Sequence, residues 1–468
     1  MTVAPQKRET DAIFYELTRS ICPTCRSLID AQILLRDGKV YMRKRCQEHG
    51  WFEGLVYSDA TLYVNSLRYN KPGTIPLSFS TEVKAGCPYD CGLCPEHKQH
   101  ACLGIIEVNT GCNLACPVCF ADAGDGYTLT LEDVERMLDR FVECEAEPEV
   151  LQFSGGEPTL HPEILTMLRA AKRRPIKYVM LNTNGVRLAR DARFVAQLAE
   201  IGPTIYLQFD GLTAETSIRL RGKNLVDEKL RALDRLADAG LKAILVAAVE
   251  RGVNEHEAGP LVRFALEHPA VRGITFQPVT HVARHLSFDP MERITIPDVI
   301  RAIEAQTEGL FVQRDFVPVP CCFPTCSSVT YAYVDGKRVT PLPRVLDVHR
   351  YLDYIANRTV PDLSAEVRRA LEGLWSASAI PGTARAADQF ACASCDLGLD
   401  RGARDLVDRI FMITIKDFMD AYTFSVKSVM KCCVAVLVPD GRMIPFCAYN
   451  TLGYREQIRA QLAVRGQR

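Results

Sequence analysis

All but one of the 19 cysteines in this chain of 468 residues fall in short-spaced groups, and no other feature limits its fold so strongly. The exception, Cys144, lies in a segment of helical apolar periodicity and is expected as a small buried hydrophobe. The 56 basic and 57 acidic residues leave a net charge of −1, so no basic surplus points to nucleic acid. The longest apolar runs, such as 244–249, fall far short of the roughly 18 residues of a membrane helix. The first ten residues carry no apolar signal core. The expected location is the cytoplasm, with at most peripheral contact with a membrane. Reductants there keep thiols from pairing, so the grouped cysteines read as metal thiolates. The fold must gather each group around a metal.

The sharpest group is Cys112, Cys116 and Cys119, within Gly-Cys-Asn-Leu-Ala-Cys-Pro-Val-Cys-Phe. It offers three thiolates on one tight loop, one fewer than a four-iron cubane takes from a protein. One iron would stay open to a small molecule, as in a catalytic metal site. A zinc knuckle or disulfide loop competes, but Gly155-Gly156-Glu157-Pro158 follows downstream. Glycines there let backbone amides approach a ligand, and Glu157 offers a carboxylate to a cationic amine. The spacing and the downstream motif resemble the radical S-adenosylmethionine (SAM) superfamily. The resemblance implies that the three cysteines hold a [4Fe–4S] cluster whose open iron chelates the amino and carboxylate groups of SAM. That cluster would then deliver one electron to cleave SAM, with Gly155, Gly156 and Glu157 meeting the methionyl ammonium. One departure is Val118, where such loops usually carry an aromatic; Phe120 is the nearby candidate for the adenine.

Four regions are expected. Residues 1–75 read as a zinc-ribbon or rubredoxin-like module, with Cys22, Cys25, Cys46 and His49 around a mononuclear zinc or iron and Asp37-Gly38 turning a hairpin. Its metal would supply much of the folding energy. Residues 76–103 carry Cys87, Cys91, Cys94 and Cys102, read as an auxiliary [4Fe–4S] cluster with a four-cysteine zinc site as the alternative. Residues 104–285 alternate strands (105–109, 150–154, 178–182, 205–209, 243–249 and 273–278) with amphipathic helices. Six near-continuously apolar strands predict an α/β fold, a partial (β/α)6 barrel with its chemistry on the loops after the strands. Residues 286–468 are expected as an α+β domain with a second auxiliary cluster, assigned to Cys322, Cys326, Cys433 and Cys447, with Cys392-x2-Cys395 nearby.

Further polar residues at strand ends face the same mouth: Asn184 and Asp210 as partners for ribose hydroxyls, and Gln277 for the adenine edge or substrate. Asn-Gly and Asp-Gly are also ordinary turns, so each has a structural alternative. His161 is expected to cap a helix.

Over most of its length the chain resembles the archaeal tetraether lipid synthase family and its dihydropterin methyltransferase-like bacterial relatives. The likeness rests on Cys22-Pro-Thr-Cys25 with Cys46-x2-His49-Gly50, Gly86-Cys-Pro-Tyr-Asp-Cys-Gly-Leu-Cys-Pro-x-His97, the Cys112 loop, and the tail Lys431-Cys-Cys … Ile444-Pro-Phe-Cys-Ala-Tyr-Asn450. It implies a mononuclear metal, a SAM-binding cluster, two auxiliary [4Fe–4S] clusters and radical attack on unactivated carbon. An electron donor such as flavodoxin or ferredoxin is implied too. Carbon–carbon coupling of lipid chains is the leading expectation for a small-molecule or lipid substrate. The alternative is radical methyl transfer to a pterin or another heterocycle, with Cys321 or Cys432 as a methyl carrier. A non-catalytic iron–sulfur electron carrier or redox sensor is the reading from outside enzymology.

Overall fold

The computed structural model describes residues 11–146, 148–285, 288–344 and 409–465. Cys392 and Cys395 lie outside them. Strands β1 (Ile13–Ile21), β2 (Leu28–Arg36), β3 (Lys39–Cys46) and β4 (Gly50–Tyr57) form an antiparallel meander. Asp37 and Gly38 both take positive φ between β2 and β3, the geometry that a two-residue hairpin turn requires. The buried Lys44 fastens this module to the C-terminal residues by donating to Ser20 Oγ (2.9 Å) and to the Ala421 carbonyl (2.6 Å).

The core strands are β5 (Leu103–Asn109), β6 (Val150–Gly155), β7 (Tyr178–Thr183), β8 (Thr204–Gln208), β9 (Ala243–Val249) and β10 (Val271–Pro278). They pair in parallel, in chain order. Each lies within two residues of its expected bounds. Their outward residues, among them Ile106, Val108, Phe153, Leu181, Leu207 and Phe276, pack under helices in one continuous core. The helix Leu131–Glu145 shows the sequence logic. Thr130 and Asp133 close a capping box at its start, and Val134, Met137, Leu138, Phe141 and Cys144 form its buried stripe. Cys144 accepts from Ser78 Oγ (3.4 Å), lies 3.9 Å from Ser80 Oγ, and is a core residue, as expected.

The C-terminal half does not stack beside this sheet as a separate layer; it extends it at both edges. After β11 (Val317–Pro318), β12 (Ser327–Asp335) and β13 (Arg338–Pro341), β14 (Ile410–Lys416) pairs in parallel with β10. Strand β15 (Val434–Leu437) pairs in parallel with β5, and β16 (Met443–Pro445) follows it. The expected boundary at residue 285 is therefore no break in the sheet. Among the described residues the two ends of the sheet do not pair, and the barrel stays open.

Candidate active site

The loop carrying Cys112, Cys116 and Cys119 leaves the C-terminal end of β5, and all three thiols line a cavity of about 350 Å³ inside the barrel. The loop turns backbone amides onto its own sulfurs: Leu114 N donates to Cys112 Sγ (3.4 Å) and Ala123 N to Cys119 Sγ (3.3 Å). Burial pushes the Cys112 thiol up to about 11, and Cys116 rises for the same reason, partly offset by Arg221. Three convergent thiols, sulfur-directed amides and an open cavity fit an anionic cluster with one free iron.

Gly155 and Gly156 are needed for the protein's own packing. A Cβ on Gly155 would stand 2.3 Å from the Asn109 carbonyl oxygen, and one on Gly156 2.3 Å from those of Thr110 and Gly111. Gly156 N donates to Asn109 O (2.8 Å) and Glu157 N to Gly111 O (2.9 Å), so the glycine pair presses the end of β6 against the root of the cysteine loop. The Glu157 carboxylate, expected to meet an amine, is held from inside. Oε1 accepts from Thr159 N, Thr159 Oγ1 and Thr183 Oγ1, and Oε2 from Asn184 N (2.8 Å). Burial raises its pKa against these bonds.

Asn184 and Gln277 reach the cavity as expected. Asn184 Nδ2 donates to Asn113 Oδ1 (2.7 Å), tying the end of β7 to the cysteine loop. Asp210 does not reach it. Arg221 takes both of its oxygens, Nε to Oδ2 (2.7 Å) and Nη2 to Oδ1 (2.6 Å), so Arg221 and Gln208 are the groups this corner shows to a ligand. The Arg221 charge and that of the buried Lys229 keep the Asp210 carboxyl low despite burial. Phe120 lines the cavity, but Phe446 stacks on its ring (centroids 5.1 Å) and Phe418 meets it edge-on (5.6 Å). His161, expected to cap a helix, stands two residues ahead of the N-cap Glu163 of the helix Ile164–Lys172. It accepts from Glu163 N (3.1 Å) and donates to the Leu129 carbonyl (2.8 Å), and its side chain makes no capping bond to the helix itself.

Sequence spacing missed the clamp behind the loop. Arg455 Nη1 donates to both oxygens of the buried Glu107 (2.7 and 2.8 Å) and to the Ala121 carbonyl (3.1 Å), and Arg459 Nη1 donates to Asp122 O (3.1 Å). Nothing local marks a C-terminal helix as the partner of β5.

Of the other cysteines, Cys22, Cys25, Cys46 and His49 gather as expected, with ligand atoms within 4.8 Å of one another and a Cys25–Cys46 sulfur distance of 3.9 Å. Tetrahedral zinc with bonds of about 2.3 Å needs sulfurs about 3.8 Å apart. Cys87, Cys91 and Cys94 surround one small cavity, but Cys102 is not with them. It starts the approach to β5 and meets Cys321 and Cys433, the three sulfurs lying within 4.8 Å. The quartet Cys322, Cys326, Cys433 and Cys447 is also broken up. Neighbouring residues of an extended chain point to opposite sides, so Cys432-Cys433 serves two groups. Cys433 joins Cys102, Cys321 and Cys322, whereas Cys432 lies with Cys326 and Cys447. Lys416, on the cavity wall, stands between them. Burial works against its charge, but the surrounding Cys322, Cys433, Cys326 and Cys432 thiols outweigh that and hold it charged. Cys321 and Cys432 do not line the cavity.

Comparison with known proteins matches residues 106–265 to the radical SAM superfamily and residues 14–58 to the HMPTM N-terminal zinc ribbon domain. The 7,8-dihydro-6-hydroxymethylpterin dimethyltransferase of Methanocaldococcus jannaschii is 36% identical, over 96% of this chain and 95% of that protein. A GTP 3′,8-cyclase of Chlorobaculum tepidum is 32% identical over 37% of this chain and 53% of its own length. The solved structure of SuiB from Streptococcus suis with S-adenosylmethionine covers 45% of this chain and 47% of its own, at 21% identity and a TM-score of 0.38. These relatives give no support to lipid-chain coupling or membrane contact, and no described helix is long and apolar enough to cross a membrane.

Proposed function

Since the chain belongs to the 7,8-dihydro-6-hydroxymethylpterin dimethyltransferase family of radical SAM enzymes, we propose that it methylates carbon on a dihydropterin or a closely similar heterocycle. The likeness along nearly the whole of both chains carries this reading, and it replaces the lipid coupling expected first. When bound, the cluster and SAM supply the one-electron cleavage that opens radical chemistry on unactivated carbon. Cys112, Cys116 and Cys119 hold the cluster, and Phe120, Asn184, Gln277 and Arg221 border the space for SAM and substrate. Gly155, Gly156 and Glu157 fix the loop and the end of β7 in place, which orients that space and keeps its wall rigid. The cavity, about 350 Å³ and largely apolar, lies within the range of small-ligand sites. Cys22, Cys25, Cys46 and His49 take a structural zinc. The Cys87–Cys91–Cys94 set and the Cys102–Cys321–Cys322–Cys433 set hold the auxiliary clusters, reduced by a small redox protein.

The test is anaerobic incubation of the reconstituted protein with SAM, a reductant and 7,8-dihydro-6-hydroxymethylpterin, with products resolved by mass. Expected are 5′-deoxyadenosine and pterin heavier by one or two methyl additions, both lost in Cys112→Ala. Label in the methyl group of SAM then traces the source of the added carbon. Formation of 5′-deoxyadenosine with unaltered pterin would sink the substrate assignment; its absence would favour an electron carrier.

A further inference from the structure

Five amide side chains line the cavity, and among the described residues four of them, Asn182, Asn184, Gln208 and Gln277, are engaged by neighbours while Gln152 is not. Asn182 Nδ2 donates to Ser154 Oγ (3.1 Å), Gln277 Nε2 to Tyr206 OH (3.4 Å), and Gln208 Oε1 accepts from Lys229 (2.9 Å). Gln152 on β6 lines the same cavity and is only 7% exposed, yet its amide has no hydrogen-bond partner among the described residues. Its register neighbours are Ile105 on β5 and Met180 on β7, apolar side chains that also line the cavity and offer the amide nothing. The amide opens on the cavity and gains no partner from the two apolar residues beside it, whereas methionine would fill the position at nearly the same volume. It sits one inward-facing position below Ser154, just under the mouth formed by the cysteine loop and the Gly155–Gly156 turn.

From this contrast we infer that Gln152 is the specificity residue that reads the substrate's heterocycle. An amide presents one N–H donor beside one C=O acceptor. Its complement is a ring edge with a carbonyl next to a ring N–H, as in the pyrimidinone of a pterin. Ile105 and Met180 flank the amide, and Ile244 and Met412 add apolar wall for a flat ring. A hydrocarbon tail would leave the amide unpaired, so the same residue weighs against a lipid occupant. Gln152 contributes binding and orientation; no bond is made or broken on it.

This rests on the heterocycle reading above, and the experiment separates the two. Binding of 7,8-dihydro-6-hydroxymethylpterin to the cluster-loaded full chain is measured anaerobically by calorimetry for wild type and Gln152→Met, beside the melting temperature of each without pterin. A two-point amide contact predicts affinity about 10–100-fold weaker in the variant. It also predicts a melting temperature that stays level or rises, because an unpaired polar group has been removed. An analogue lacking the ring carbonyl should bind wild type and variant alike. If wild type binds the pterin and Gln152→Met binds within about twofold, the assignment to Gln152 falls while the function stands. A sharp drop in melting temperature would show that the amide serves the fold and would overturn it likewise. Should wild type fail to bind the pterin, both fall.

Discussion

Arg455→Met should loosen the catalytic loop without touching a cysteine. Arg455 lies 348 positions from Glu107 in sequence, yet its guanidinium covers both carboxylate oxygens and reaches the Ala121 carbonyl two residues past Cys119. Both side chains are nearly buried, 4% and 7% exposed. Removing the cation leaves Glu107 with the Tyr449 hydroxyl (3.1 Å), a neutral donor. Breaking a buried pair from one side costs about 3–5 kcal/mol, since the remaining charge stays desolvated. Local opening of the segment 103–123 should then become roughly 150- to 5,000-fold more frequent. Hydrogen exchange followed by mass spectrometry on peptides from β5 and the loop reads this directly, with no assumption that the whole chain unfolds in one step. Glu107→Gln combined with Arg455→Met should recover about 2 kcal/mol or more, because no orphan charge remains. Loop exchange that accelerates less than about tenfold in the single variant, or strictly additive effects in the pair, would refute the clamp.

The remaining expectations are briefer. Cys102→Ala and Cys321→Ala should alter the same auxiliary-cluster signal in electron paramagnetic resonance, while Cys87→Ala alters another; a shared change for Cys102 and Cys87 would restore the grouping expected from spacing. His97 is buried, donates to the Cys432 carbonyl (2.9 Å), and burial lowers its pKa from 6.5 to about 4. An unfolded chain takes up a proton in that window which the folded chain refuses, so stability is lost as pH falls from 6.5 toward 4, by up to about 3 kcal/mol. Urea midpoints at pH 7 and pH 5 should differ less in His97→Gln than in wild type; an equal difference would assign the loss elsewhere. Cys46→Ala should release one metal equivalent and open residues 14–58 to proteolysis while the barrel persists, checked by elemental analysis and peptide mapping. Concerted loss of the barrel would show that the ribbon is not a separately metal-stapled unit.

What sequence could reveal was chemistry encoded locally. The six core strands were legible because both faces are buried, which leaves unbroken apolar runs such as Ala-Ile-Leu-Val-Ala-Ala-Val in β9. The Cys112 loop and the ribbon were legible because each keeps its ligands on short loops. Spacing places Cys102 with Cys94, only eight positions away, while its actual neighbours arrive from the far C-terminal half. Asp210 looked available because nothing nearby announces that Arg221, one helix later, will cover both oxygens. The sequence singles out Gly155 and Gly156 for close approach of a ligand, and in the structure the chain's own backbone lies against both. Strands β14 and β15 carry no signal that they will join opposite edges of the same sheet.

That last pairing fixes an order of events during synthesis. Strand β5, which bears the cysteine loop, is made in the first quarter of the chain, yet its outer edge waits for β15 and its clamp for Arg455. Until residues 434–455 have been made, β5 is an uncovered parallel edge, slow to find its partner and open to mispairing. The same delay leaves the three thiols of the loop reachable from outside while the chain is incomplete. Arrival of the C-terminal helix therefore closes the sheet edge and ends the easiest period for loading iron and sulfide. A nascent chain halted before residue 434 should keep its catalytic loop exposed, however well the six core strands have formed.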